Sequence, residues 1–411
     1  MSDIETTVWW HVYPLGFCGA PIRENQGDCA PRLRRLIDWL DYAVDLGFGG
    51  LILGPVFTAQ THGYDSLNQF EIDPRLGTAN DFRDLVAACK SRGLKIVLDG
   101  VFSHVGNQHP WLINDLANCS GELFDVDWQA AGGPRPRVWE GHTLLARLNH
   151  NSQAAVNYVC DVMAYWLAQG IDGWRLDAAY SVPNNFWNRV LPKVRETYPS
   201  AWFLGEVIHG NYPQLVTESQ INTVTQYELW KAIWSSLKDA NLFELDWALR
   251  RHNEFLQQFT PQTFVGNHDV TRIASAVGAD GALAAAAILL TVGGIPSIYA
   301  GDEQGMLGVK ENREGGDDAI RPTFPPSPAQ LAENDSQIHR AHQALINIRN
   351  QNPWLAKATT ETKQLASQNL VYLSASKDGK NVLEVEIAHE GKWAVTIKNP
   401  ITDQMLYQQA A

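Results

Sequence analysis

One unit recurs along this chain: an amphipathic helical segment, a glycine, then a short apolar run. Residues 31–54 read PRLRRLIDWLDYAVDLGFGGLILG, with Leu33, Leu36, Ile37, Leu40 and Val44 spaced for one helical face and Gly47 placed to stop it. Residues 78–99 repeat the pattern. Thr78 and Asp81 form a capping-box-like start, Phe82, Leu85, Val86 and Cys89 a face, Gly93 a stop, and LKIVLD a strand. Residues 151–177 repeat it again, with Val156, Val159, Met163, Trp166 and Leu167 as the face, Gly170 as the stop and IDGWRLD as the strand. Helices alternating with continuously apolar strands predict a parallel sheet covered by helices.

Further strands are expected in VWWHVY (8–13), AWFLGE (201–206), INTVTQY (221–227), TFVGN (263–267) and IPSIYAG (295–301), which makes eight. Eight parallel strands close as a (β/α)8 TIM barrel, and the expected fold class is α/β of that kind. Asp99, Asp177, Glu206 and the NHD at 267–269 fall at C-terminal strand ends, where barrel active sites lie. An open doubly wound sheet also binds ligands at strand ends, so the strand count favours the barrel without excluding that alternative. The expected division is a barrel over 1–103 and 150–350, a small excursion domain over 104–149 with little periodicity, and a short C-terminal β module over 351–411. A helix is expected near 335–350, ahead of that module.

Composition narrows the partners. The chain has 411 residues and a formal net charge of −13, the opposite of a nucleic-acid or anionic-membrane footprint. Trp 15 and Tyr 12 supply many flat faces that suit pyranose C–H surfaces, although core filling is the plainer account of any single Trp. The five cysteines match no metal or disulfide framework. The N-terminus lacks a leader pattern, and no run is expected to approach 18 apolar residues. The expectation is a reduced, cytoplasmic protein with no nucleic-acid or membrane partner.

In GWRLDAA (173–179), strand alternation points Arg175 and Asp177 the same way. A neighbouring cation keeps a carboxylate ionised, as a nucleophile requires. A structural ion pair would also explain an isolated R-x-D. Glu206 has apolar flanks that suit a general acid, and Asp269 supplies a third carboxylate. Glycoside hydrolysis needs two such groups.

These segments resemble the four ordered motifs of the α-amylase family of glycoside hydrolases: DGVFSH (99–104), GWRLDAA (173–179), FLGEV (203–207) and FVGNHD (264–269). LARLN (145–149), THGYD (61–65) and GIPSIYAGDE (294–303) resemble further family signatures, and the look is nearest to the neopullulanase, cyclomaltodextrinase and maltogenic amylase branch. That branch carries an extra N-terminal domain, and with the first strand expected near residue 8 that domain is expected to be absent.

The resemblance implies a retaining enzyme that cleaves α-glucosidic bonds, mainly α-1,4 with α-1,6 also within its range, in malto-oligosaccharides or related α-glucans. Asp177 would be the nucleophile, Glu206 the acid/base, and Asp269 the grip on two ring hydroxyls. Arg175 would orient Asp177. His62, Tyr64, His104 and His268 would contact sugar, Asp65 and Arg321 would hold its far end, and Asp99 would support the site from behind. A transglycosylase, glucanotransferase or disaccharide isomerase would use the same residues. A non-catalytic glycan-binding or transporter-associated relative would be expected to lack the carboxylates.

No cofactor is implied. The family's structural calcium is expected to be missing, because Ser103 stands where its ligand Asn is usual and Ser is a poorer ligand. VIHG (207–210) also departs from the branch, which tends to have Trp there. Chain-length preference and oligomeric state stay open.

Overall fold

The computed structural model describes residues 3–23, 29–331 and 336–409. Eight short strands are β1 (Trp9–Val12), β2 (Gly50–Leu53), β3 (Lys95–Gly100), β4 (Gly173–Leu176), β5 (Trp202–Gly205), β6 (Thr223–Val224), β7 (Gln262–Phe264) and β8 (Ile295–Tyr299). Each expected strand is present at least in part, although INTVTQY (221–227) keeps only Thr223–Val224 as strand and its Tyr227 opens the helix Tyr227–Lys238. Their hydrogen-bonded order is β6-β5-β4-β3-β2-β1-β8-β7. Apart from the first residue of β3, which is half-buried, all of their residues are buried, as strands covered on both faces must be. A parallel bridge pairs Thr225 with Gln262. This strand order is that of a (β/α)8 barrel.

The chain forms two compact units. One comprises Tyr13–Leu40 and Ile52–Val224; the other comprises Met1–Val12, Asp41–Leu51 and Thr225–Ala411.

In the first unit, β4 is the centre of the parallel register, pairing Arg175 with Asp99 of β3 and with Leu204 of β5. The helix Ala79–Ser91 begins with the expected capping box of Thr78 and Asp81, and Phe82, Leu85, Val86 and Cys89 are all buried. The helix Gln153–Ala168 buries all five expected face residues. Residues 104–149 are more regular than their sequence suggests. They hold the helix Pro110–Asn118 and a three-stranded antiparallel sheet in which His142–Arg147 pairs with both His104–Gly106 and Val138–Trp139. Short strands with few alternating positions leave no periodicity to read.

The first helical face needs correction. The segment is two helices, Leu33–Ile37 and Leu40–Leu46, and Val44 is 39% exposed. The break falls between Ile37 and Leu40, and a spacing that runs across it no longer predicts one face. Gly47, at φ +97°, ends the second helix as expected.

The second unit contains β1, β7, β8 and the C-terminal module, a five-stranded antiparallel sheet of β9 (Thr359–Ala366), β10 (Asn369–Ala375), β11 (Val382–His389), β12 (Trp393–Asn399) and β13 (Gln404–Gln409). Alternate residues Leu370, Tyr372, Val385, Ile387, Val395 and Ile397 are buried, the period-2 pattern of a sheet packed on one face. The sheet packs against the helix Ile273–Thr291, where Tyr372 and Thr291 hydroxyls meet at 2.7 Å and the Trp393 N–H donates to Asp280 Oδ2 at 2.6 Å.

That helix corrects a second expectation. It is long and apolar enough, by length and composition, to cross a membrane, but two thirds of the stretch is buried inside the protein and it is kinked at Gly278. From Gly281 to Thr291 every residue is buried, and the small alanines there let neighbouring elements approach, so this part of the helix has no polar face to show. The helix Gln337–Gln351 matches the one expected near 335–350, whose residue 335 lies outside the described residues.

Candidate active site

In the unit carrying β3, β4 and β5, four charged side chains meet. The register that sets Arg175 beside Asp99 also brings Asp177 and Glu206 level, one residue beyond their strands. Arg175 Nη1 lies 2.5 Å from Asp99 Oδ2 and 3.4 Å from Asp177 Oδ1, while Nη2 lies 2.7 Å from Glu206 Oε1. All four are buried. The arginine therefore holds Asp99 and Glu206 more tightly than Asp177, the one partner expected from the R-x-D spacing. Burial opposes its charge, but Asp99, Glu206, Tyr64 and Asp177 outweigh this and raise its pKa well above the ordinary value.

Ala178 completes the arrangement. Its backbone lies in the left-handed region, φ +45° and ψ +40°, uncommon for a residue with a side chain. In that conformation its N–H donates to Glu206 Oε2 at 3.0 Å. A backbone held in a sparsely populated region beside the central carboxylates is a mark of functional sites. No sequence signal points to it, because alanine has no special preference for this conformation.

Asp99 is fully buried, and burial pushes its carboxyl up to about 6 even beside Arg175. Tyr64 donates its hydroxyl to Asp99 Oδ2 at 3.0 Å, so this ring is tethered from below. His62 Nδ1 accepts from the Tyr64 N–H at 3.2 Å, and the His62 carbonyl accepts from the Tyr13 hydroxyl at 2.7 Å. Asp65 is buried and spans Thr61, accepting from its N–H at 3.0 Å and its hydroxyl at 2.6 Å.

Both ring nitrogens of His104 have protein partners. Nε2 faces the Tyr64 carbonyl at 3.0 Å and Nδ1 faces the Ser103 hydroxyl at 2.7 Å. Since a carbonyl only accepts, Nε2 carries the proton and Ser103 donates to Nδ1. Burial lowers the imidazole pKa to about 4, consistent with a neutral ring. Trp139, which sequence reasoning did not single out, lies with its ring centre 4.7 Å from that of His104 and donates its indole N–H to Ser181 at 3.0 Å.

The other unit carries a second cluster, after β7. The Asp269 N–H donates to Asn267 Oδ1 at 2.9 Å, and Asn267 Nδ2 donates to the Tyr227 hydroxyl at 2.9 Å. Asp269 Oδ1 accepts from Arg321 Nη2 at 2.8 Å, and its Oδ2 lies 3.0 Å from His268 Nε2. Arg321 also donates from Nε to the His268 carbonyl at 2.8 Å and reaches Asp317 at 3.2 Å. His268 is fully buried, with Nδ1 facing His11 Nε2 at 3.3 Å. Asp269 is one third exposed, which leaves it open to a ligand. In the strand-end motif before Asp269, a Cβ at Gly266 would run into the Asp302 carboxylate, so only glycine leaves room for the buried Asp302–Arg272 pair, whose members are 2.9 Å apart.

Ser103, where a calcium ligand is usual, and the acids Asp125 and Asp127 of the segment that follows it have protein partners. The Ser103 hydroxyl is turned to His104. Asp125 lies beside Arg137 and Arg147, and Asp127 Oδ1 accepts from the Gln129 N–H. Among the described residues no group of three or more His, Cys, Asp or Glu is arranged to hold a metal.

Comparison with known proteins agrees with the motifs. A sequence model of the α-amylase catalytic domain matches residues 12–326. The chain is 31% identical over 335 residues to a cyclomaltodextrinase of Geobacillus thermopakistaniensis, covering 74% of this chain and 57% of that protein. It is 28% identical over 392 residues to a maltogenic alpha-amylase of Bacillus acidopullulyticus, covering 86% of this chain and 64% of that one. The chain thus spans less than two thirds of the length of these relatives. Among solved structures, it is similar to the cyclic alpha-maltosyl-(1→6)-maltose hydrolase of Arthrobacter globiformis, with a TM-score of 0.81 at 24% identity over 94% of this chain and 91% of that one. With the eight-stranded order in place, the four motifs on its strand ends and a catalytic-domain match over most of its length, the chain belongs to the α-amylase family of glycoside hydrolases.

Proposed function

We propose that this protein is a retaining α-glycosidase of malto-oligosaccharides or related α-glucans, acting mainly on α-1,4 bonds. The observation that carries this reading is the pair of buried carboxylates, Asp177 and Glu206, held by the two terminal nitrogens of one guanidinium. A retaining mechanism needs two carboxyl groups close together, about 5–5.5 Å apart, because one must attack the carbon whose leaving oxygen the other protonates.

In this reading Asp177 attacks the anomeric carbon while Glu206 gives its proton to the glycosidic oxygen. The leaving sugar departs and a glycosyl ester forms on Asp177. Glu206, now a carboxylate, takes a proton from water, which attacks the same carbon and releases Asp177. Asp269, held by Arg321, grips two hydroxyls of the distorted ring. Tyr64 offers its ring to the sugar, and His62, His104 and His268 lie beside these groups. Asp99 supports Arg175. The relatives' names, cyclomaltodextrinase and maltogenic alpha-amylase, support an α-glucan substrate. The five cysteines are all free, which supports a reducing, cytoplasmic setting.

Hydrolysis of maltotriose followed by proton NMR tests the proposal. The first product should be the α-anomer. Initial β-anomer would sink the retaining mechanism, and no cleavage of maltotriose, pullulan or cyclodextrin would sink the activity.

A further inference from the structure

The helix Tyr227–Lys238 buries Leu229, Ala232, Ile233 and Leu237, as an amphipathic helix should. On another stripe, where charged residues would be ordinary, it carries Trp230 and Trp234 one turn apart, then Lys238. Both indoles are partly exposed, and together they line a cavity of about 680 Å³ that extends to Asp269. The start of the helix Ile273–Thr291, including Ala276, forms another part of the lining, and Val309–Asn312 a third.

The indoles are set rather than loose. Phe264 of β7 stacks against Trp230 at 6.1 Å with the rings 15° from parallel, which supports one face of the indole, and Trp230 also lines the cavity. Trp234 lies 5.9 Å from Trp230, tilted by 53°, and the Lys238 ammonium lies 5.9 Å over its ring. Two differently inclined flat faces suit a ligand whose successive rings turn relative to one another.

The charges in the lining balance: Lys238 and Lys310 against Asp269 and Glu311. An anion or cation would gain little from such a wall. An uncharged ligand with apolar faces and hydroxyl edges would gain from both the indoles and the polar rim. The volume lies in the ordinary range of about 300–1,000 Å³ for small-molecule sites, enough for more than one sugar ring.

We propose that this cavity is a chain-holding site for α-glucan, in which Trp230 and Trp234 carry pyranose rings of the strand whose other part reaches Asp269. The proposal rests on the glycosidase reading for its substrate class, and its test separates the two. The variants are Trp234→Ala, Trp234→Phe, and Ala276→Phe, which adds a ring to the cavity and leaves both indoles in place. Activity is read as kcat/KM on maltoheptaose against a chromogenic α-maltoside. Affinity for maltoheptaose is read by calorimetry with each change combined with Asp177→Asn.

Trp234→Ala and Ala276→Phe should each lower the long-to-short kcat/KM ratio by at least about fivefold and weaken calorimetric binding alike, the loss expected of one aromatic contact. Trp234→Phe should keep most of both. Should Trp234→Ala fail to fold, Ala276→Phe carries the test alone. Unchanged ratio and affinity in the variants overturn the chain-holding site while leaving the glycosidase reading intact. A wild-type protein that cleaves no α-glucan, yet binds maltoheptaose in a Trp234-dependent way, overturns the glycosidase reading and leaves the site. Failure of the Asp177→Asn protein to bind maltoheptaose overturns the site.

Discussion

Arg175 holds Glu206 at 2.7 Å and Asp177 at 3.4 Å, so the cation is committed more firmly to the proposed acid/base than to the proposed nucleophile. Its third partner, Asp99, shares its register position on the neighbouring strand. One planar fork serves three carboxylates, which a lysine's single ammonium cannot do. Arg175→Lys should therefore lower kcat on a chromogenic maltoside by about 10²-fold or more, the order expected when an electrostatic group of an active site is lost. Rates near wild type would show that the fork geometry is dispensable.

Asp177→Asn should reduce turnover by about 10⁴-fold or more, because an amide cannot form the glycosyl ester. The check is the steady-state rate of a variant whose melting curve shows an intact fold. A wild-type rate would assign the nucleophile elsewhere.

Glu206→Gln should separate the two steps. Substrates with good leaving groups need little protonation and should still glycosylate Asp177, whereas release by water should stall for want of a base. Added azide attacks unaided, so an α-glucosyl or α-maltosyl fluoride with azide should regain turnover and give the azide of retained configuration. Absence of rescue would argue against the role of Glu206.

Glu303 leads to a stability prediction. It is fully buried, accepts from the Tyr42 hydroxyl at 3.1 Å and the Gly301 N–H at 2.9 Å, and burial pushes its carboxyl up to about 7. The unfolded chain releases this proton near 4.5, the folded one near 7. Stability from the protonated form is thus full below 4.5 and is lost as pH rises to 7. Glu303→Gln should become more stable relative to wild type across that window, by on the order of 3 kcal/mol. Denaturant melts at pH 4.5, 5.5 and 7 read this directly, and a difference that does not change with pH would refute it.

Calcium should matter little. Asp125 is paired with Arg137 and Arg147, and Asp127 accepts from the Gln129 N–H. A ligand that binds only the folded state would raise the melting temperature with its concentration. Neither EDTA nor millimolar calcium should shift the melting temperature or the rate. A drop of several degrees on chelation, reversed by calcium, would show a site built from other oxygens, and Asp127→Ala would then be made.

Much of this protein follows from local patterns. Strands β2, β3 and β4 come from apolar runs that follow glycine stops at Gly47, Gly93 and Gly170, and such runs favour burial. The capping box of Thr78 and Asp81 closes within three residues, so it is visible without any tertiary information. The family motifs likewise lie in short contiguous stretches at strand ends. Tertiary structure decided what no local pattern encodes. Which carboxylates Arg175 grips depends on the register of β4 against β3 and β5, set by hydrogen bonding between strands far apart in sequence. The tether of Tyr64 to Asp99, the left-handed turn of Ala178 towards Glu206, and the exposure of Val44 after a break between two helices are likewise absent from the local pattern. The cavity beside Trp230 and Trp234 needs three segments of chain to exist at all. Periodicity tells which residues leave water; only packing between distant elements tells which residues they meet when they do.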